Sequence, residues 1–173
     1  VLADVKVSDL HALWKRLVQQ DLASPTVGTI HDIICCPGLD YCSLANTKSI
    51  PLAKAIQTRF ERLDYIYDIG ELSFNISGCM NACSHHHLAN IGILGVLKKD
   101  AAYFQITLGG SKGNDSAIGK ILGPAVPETD VPDAIEKVIQ RYLNLRHEDE
   151  RFIDTFLRLG MKTFKEAVYD NAS

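Results

Sequence analysis

The sequence has no surplus of positive charge and no long apolar run. Lys and Arg total 18 against 21 Asp and Glu, a net charge of -3. No broad basic surface is available for phosphate backbones or anionic lipid, so nucleic acid is excluded as an expected partner. The longest apolar candidate, Ile91 to Leu97, is broken by Gly92 and Gly95 and falls well short of the roughly 18 residues that cross a bilayer. No membrane partner is expected. Cysteine is absent after Cys83, and five cysteines in two tight groups are a poor plan for stapling a secreted fold, so a cytoplasmic location and metal chemistry are expected. Val1-Leu2-Ala3-Asp4 lacks both an initiator Met and the layout of a secretory signal, which predicts a processed or truncated product. What is present, 173 residues of which 46% are hydrophobic and 23% charged, suffices for one closed core.

Periodicity divides the chain into alternating helices and strands. Leu10, Leu13, Trp14, Leu17 and Val18 recur at helical spacing behind Ser8, an expected N-cap, and predict an amphipathic helix whose apolar face joins the core. A short strand is expected at Ile30 to Ile34, delivering the chain to the turn Cys35-Cys36-Pro37-Gly38. Ser49 and Pro51 open a second helix carrying Leu52, Ala55, Ile56, Phe60 and Leu63 on one face. Leu72, Phe74 and Ile76 alternate with Glu71, Ser73 and Asn75 as in a half-buried strand that ends at Gly78. Ile91 to Val96 and Tyr103 to Leu108 read as neighbouring strands turned by Lys98-Lys99-Asp100. Helical periodicity resumes over Val131 to Leu145, then over Arg151 to Leu159 and Lys162 to Tyr169, divided by Gly160. The fold class is α+β, a mixed sheet with flanking helices and a C-terminal helical tail.

The strongest chemical signal is two cysteine pairs, Cys36-x5-Cys42 and Cys79-x3-Cys83, each just beyond an expected strand. A sheet holds such loops at one edge, where four thiolates can converge on an iron-sulfur cluster or structural zinc. Zinc knuckles place paired ligands two to four residues apart, which Cys79/Cys83 satisfies and Cys36/Cys42 does not. Iron-sulfur is favoured, although spacing alone does not decide. Free cysteine also packs as a small hydrophobe, a reading better suited to a lone pair than to two pairs flanked by Gly38, Gly78, Asn75 and Asn81. Those residues offer turns and amide donors directed at cluster sulfur.

The segments "CCPGLDYCSLANT" and "FNISGCMNACSHHHLANIGILG" resemble the two cluster signatures of the sirohaem-dependent sulfite/nitrite reductase haemoprotein family. The resemblance runs on through "QITLGGS", "GKILGP", "ERFIDTFLRLG" and "FKEAVY", and the second signature most resembles the bacterial assimilatory sulfite reductases. It implies that Cys36, Cys42, Cys79 and Cys83 ligate a 4Fe-4S cluster and that Cys83 also ligates the sirohaem iron. Cys35 has no role in that pattern. The implied activity is the six-electron reduction of sulfite to sulfide, or alternatively of nitrite to ammonia. The implied partners are a ferredoxin or flavoprotein electron donor and the remaining N-terminal part of the same reductase. The implied organisation is a helix over 1–25 ending a ferredoxin-like segment, a cluster- and sirohaem-binding α+β domain over 26–125, and C-terminal helices over 126–173 that pack on it. Met80 stands where the family usually has proline and Ser84 where it has glycine; neither change removes a ligand, and Met80 is expected to pack its thioether against the cofactor.

Weaker signals surround these. His85-His86-His87 lacks the i,i+4 spacing of paired zinc histidines and is expected to hydrogen-bond around the cofactor or to backbone, while His11, His31 and His147 read as surface or satisfied histidines. Gly113 to Lys120 is no phosphate loop, because Ile121 replaces the required Ser or Thr. Gly109-Gly110-Ser111-Lys112 reads either as a plain turn or as a nest offering N–H groups and an ammonium to sirohaem carboxylates. No Lys or Arg occurs between Leu17 and Thr47 or between Glu71 and Leu97. Cations to balance an anionic site and its anionic substrate are therefore expected from outside the chain, which is predicted to position a cluster without reducing sulfite alone.

Overall fold

The computed structural model describes residues 2–99 and 101–170. Its centre is a mixed sheet of β1 (Ile33–Cys35), β2 (Phe74–Ser77), β3 (Ile91–Lys98), β4 (Ala101–Leu108) and β5 (Lys120–Ile121) in that order, with β6 (Val126–Pro127) also on β4. β1, β2 and β3 run parallel, with Ile33 beside Phe74 and Phe74 beside Ile91. β3 and β4 form the expected antiparallel pair, Ile91 opposite Leu108. Lys99 closes that turn with a positive φ; Asp100 lies outside the described residues.

One face of the sheet carries α2 (Ser49–Arg59), α4 (Val131–Leu145) and α5 (Phe152–Tyr169). Phe74, Ile76, Ile91, Ile93, Phe104 and Ile106 meet Leu52, Ile56, Ile135, Val138, Ile139 and Phe152 there, all fully or almost fully buried. Burying such a side chain contributes about 1.5–3 kcal/mol, so this layer dominates stability. Tyr142 packs edge-on against Phe152, and its buried hydroxyl lies 3.1 Å from the Ile69 carbonyl and 2.9 Å from that of Glu150. Gly160, at φ 76°, breaks α5 where the sequence places a boundary.

Several expectations are corrected. The second helix ends at Arg59, and a separate α3 (Leu63–Ile69) follows, delivering Ile66 and Ile69 to the core. β2 is buried on both faces rather than half-buried, because the chain after it folds back over Asn75 and Ser77. α1 (Leu10–Val18) has no buried residue. Its apolar stripe does not join the core: Leu10, Trp14 and Val18 remain about half exposed, and among the described residues Trp14 stacks on His11 alone. Ser8 donates to the Asp9 carboxylate instead of capping that helix.

Candidate metal centre

Both cysteine pairs sit where the parallel strands end, the edge at which ligands bind in open sheets. The first loop leaves β1 after Cys35 and runs to α2; the second leaves β2 after Ser77 and crosses to β3. Two glycines let them touch. A Cβ on Gly78 would lie 3.2 Å from the Gly38 Cα and 3.0 Å from the Thr47 carbonyl oxygen, and one on Gly38 would lie 2.5 Å from the Ser49 nitrogen. Gly38 also needs its positive φ of 65°, which L-residues rarely adopt.

The Gly78 peptide ties the loops together through both of its polar groups. Its carbonyl accepts the Asn46 N–H at 2.9 Å, the Thr47 N–H at 3.1 Å and the Thr47 hydroxyl at 3.3 Å. Its N–H donates to Cys36 Sγ at 3.0 Å, and Ser49 Oγ lies 3.4 Å from the same sulfur. The first loop is wound tightly enough that the Cys42 N–H donates to the Gly38 carbonyl at 2.9 Å.

The second loop is braced from beneath. Ser84, at the position where glycine is usual, is buried and exchanges a hydrogen bond of 2.6 Å with Ser77 Oγ, while its hydroxyl lies 2.6 Å from the Ile76 carbonyl. The Asn75 side-chain amide donates to the Ser84 carbonyl at 2.6 Å. Asn75 is therefore not a donor to cluster sulfur, which corrects the sequence reading, and its role is to hold the loop. Two left-handed residues, Ala82 at φ 53° and His85 at φ 51°, turn the chain on either side of Cys83.

Cys79 is buried, Cys36 and Cys42 are partly covered, and Cys83 is exposed; no disulfide joins any of the five cysteines. Among the described residues, no three His, Cys, Asp or Glu side chains converge closely enough to hold a single metal ion. A four-iron cluster takes each thiolate on a different iron and so spaces its ligands more widely than one ion does, so the absence of a single-ion site does not count against four cluster ligands. The donor hydrogen bond from Gly78 to sulfur is of the kind that supports a thiolate. Cys35 belongs to β1 and packs against the core. Burial, and then the neighbouring Cys36, push its thiol above the ordinary value, keeping it a protonated structural residue.

The remaining site residues divide between these loops and the opposite end of the sheet, where Gly110, Ser111 and Lys112 follow Leu108, which pairs through Ile91 with the first residue of β2. Asn81 is exposed beside Met80, which is 84% exposed, so no described protein group covers the Met80 thioether. Leu39, Tyr41 and Leu44 also face outward, giving the first loop apolar exposed side chains, and the one Lys or Arg of these loop stretches, Lys48, is paired with Asp40 at 2.9 Å. Gly110 is buried against the backbone of His87 and Ala89. The N–H groups of Gly109 and Ser111 donate to the carbonyls of Asn90 and Ala117, and the Ser111 hydroxyl donates to that of Asp115 at 2.5 Å. Lys112 lines a cavity of about 420 Å³ together with Arg151, Glu71 and Asp154. His86 is buried, with burial and then His87 lowering its pKa. His31 is not satisfied as expected, since its Nε2 is buried without a partner among the described residues. The bracing by Ser77 and Ser84 escaped the sequence reading; the pairing of two serines across a turn that usually carries glycine was its one visible sign.

No helix among the described residues is long and apolar enough to cross a membrane. The family model for the nitrite and sulphite reductase 4Fe-4S domain matches residues 27–173. A protein named sulfite reductase (ferredoxin) 2 from Mycolicibacterium paratuberculosis is 28% identical over 169 residues, which cover 91% of this chain and 30% of the relative. An assimilatory-type sulfite reductase from Nitratidesulfovibrio vulgaris is 22% identical, covering 96% of this chain and 73% of that protein. The solved structure of the Mycobacterium tuberculosis NirA protein superposes with a TM-score of 0.77 at 25% identity, over 93% of this chain and 31% of that one. The chain thus spans less than a third of the length of the first of these relatives. With the match extending from the turn before β1 to the C-terminus, the chain belongs to the nitrite and sulphite reductase 4Fe-4S domain family.

Proposed function

We propose that Cys36, Cys42, Cys79 and Cys83 ligate a 4Fe-4S cluster, that Cys83 is shared with a sirohaem iron, and that the chain is the cluster-bearing part of a sulfite reductase. The observation that carries this reading is the contact of Gly38 with Gly78, which sets two cysteine loops against each other at the end of a parallel sheet. The chemistry supplied by the bound groups is one-electron delivery and the six-electron reduction of sulfite to sulfide.

The chain's own residues hold that chemistry in place. The Gly78 peptide fixes both loops, the Ser77–Ser84 pair and Asn75 fix the turn bearing Cys83, and the exposed Cys83 sulfur keeps lone pairs free for a second iron. Neither loop contributes a Lys or Arg other than Lys48, whose charge is matched by Asp40. Cations and proton donors for the anionic substrate then come from the remaining N-terminal part of the reductase, with a ferredoxin or flavoprotein as electron donor and Asn81, Gly110 and Ser111 bordering the sirohaem. Five unbridged thiols suit the reducing cytoplasm. Nitrite is the second reading, since the family's description names nitrite beside sulphite.

The reductase carrying this chain, purified without oxygen, should contain about four iron and four sulfide in the cluster. Stoichiometric zinc without visible absorption would overturn the ligand assignment. Steady-state rates with sulfite and nitrite decide the substrate, and faster turnover of nitrite would replace the first reading by the second.

A further inference from the structure

We infer that Ser49 is a positioning residue for the cluster, its buried hydroxyl donating a hydrogen bond to the Cys36 thiolate and thereby raising the cluster's reduction potential. The inference rests on the ligand reading above.

Ser49 is the first residue of α2 and is 0% exposed. Its hydroxyl has one hydrogen-bond partner among the described residues, Cys36 Sγ at 3.4 Å. The slot it occupies exists because two neighbours lack side chains: a Cβ on Gly38 would stand 3.0 Å from Ser49 Oγ, and one on Gly78 would stand 2.9 Å from it. The same two glycines that bring the cysteine loops together therefore admit this hydroxyl to the sulfur.

In the free thiol either atom can donate. A thiolate on iron has no proton to give, so the bond must then run from Ser49 O–H to sulfur. The Gly78 N–H supplies a second donor to that sulfur at 3.0 Å. No hydrogen bond reaches the sulfur of Cys42, Cys79 or Cys83 among the described residues. Cys36 is thus singled out among the four. Hydrogen bonds to a ligand sulfur offset its negative charge, and they do so more strongly in the reduced cluster, which carries one more electron; the potential rises accordingly. With Lys and Arg absent from 18–46 and 72–96, neutral dipoles such as this hydroxyl are what these loops have to stabilise the added charge.

The test uses the cluster-loaded protein and its Ser49→Ala variant, with reduction potentials from a redox titration followed by electron paramagnetic resonance. The expected result is a more negative potential in S49A at unchanged iron content. A second readout is the cluster's coupling to exchangeable deuterons after transfer to D2O: wild type should show a hydroxyl deuteron beside that of the Gly78 amide, and S49A should lose it. An unchanged potential with an unchanged deuteron spectrum overturns the inference while leaving the ligand reading intact. Absence of a cluster from the wild-type protein overturns the ligand reading itself, and this inference with it. If S49A does not retain its cluster, the wild-type spectrum decides, and a spectrum without a coupled hydroxyl deuteron overturns the inference.

Discussion

Gly38 and Gly28 share a left-handed backbone, with φ of 65° and 76°, and differ in what surrounds them. Alanine at either position incurs the steric cost of that conformation, about 1–2 kcal/mol. A Cβ at Gly28 would meet nothing within 4 Å, whereas at Gly38 it would meet the Ser49 nitrogen at 2.5 Å, the Thr47 carbonyl at 2.8 Å and Ser49 Oγ at 3.0 Å. Two of those atoms are backbone and cannot swing aside, so overpacking adds about 1–3 kcal/mol at Gly38 alone. The expected destabilisation is therefore about 1–2 kcal/mol for Gly28→Ala and about 2–5 kcal/mol for Gly38→Ala. At a urea dependence of about 2 kcal/mol/M, the unfolding midpoint falls by about 0.5–1 M in the first variant and about 1–2.5 M in the second. Circular dichroism of both variants under urea, oxygen excluded, measures the difference. Iron analysis supplies a second reading, with G28A retaining its cluster and G38A losing it. Equal midpoints and equal iron would refute the argument that the two cysteine loops meet through glycine.

Three further outcomes follow from the same geometry. Cys35→Ala should leave cluster iron unchanged and Cys36→Ala should abolish it; the reverse pattern in iron and sulfide analysis would reassign the ligand. Glu150 accepts hydrogen bonds from Arg158, which, with the His147 N–H, lowers its pKa to about 2. A folded-state value below the unfolded value of about 4.3 stabilises above that unfolded value, and the stabilisation is lost as pH falls toward about 2. The stability gap between wild type and Glu150→Gln should accordingly be full at neutral pH and close on acidification, and a gap independent of pH between about 5 and 2 would count against the pairing. Tyr142→Phe removes the buried hydroxyl beside the carbonyls of Ile69 and Glu150 and should cost about 1–3 kcal/mol in urea unfolding; no change would mean that water replaces it.

The sequence made the cysteine loops' position legible because cysteines follow strands directly, and the β3–β4 pair because two β-rich runs, Ile91 to Val96 and Tyr103 to Leu108, flank a short charged turn. It placed Asn75 on the polar face of a half-buried strand. The same alternation arises whether the polar face meets water or a polar loop, and here Ser84 and the Cys83 turn cover it. α1 misled for the opposite reason: an apolar stripe at helical spacing states that a face wants burial, and nothing in the described residues of this chain buries Leu10 or Trp14. α3 was absorbed into α2, since the break at Phe60 carries neither glycine nor proline, and the two-residue strands β5 and β6 are too short to impose a period. Ser49 read only as a helix start, because a serine at a first helical position is commonplace and its partnership with Cys36 is a matter of three dimensions.

The parallel pairing of β1 with β2 also governs the order in which the site can come into being. Cys36 and Cys42 lie before α2 and α3, Cys79 and Cys83 after them, so the two pairs stay remote from each other until the strands align. Parallel strands cannot be joined by a tight hairpin, and their pairing must wait for the intervening helices to span the sheet. In the folded chain the alignment of β1 with β2 is what sets the two pairs side by side. Folding and metallation are therefore coupled for the ligand set proposed above, since the pairing of β1 with β2 brings those cysteines together and a bound cluster would stabilise that pairing.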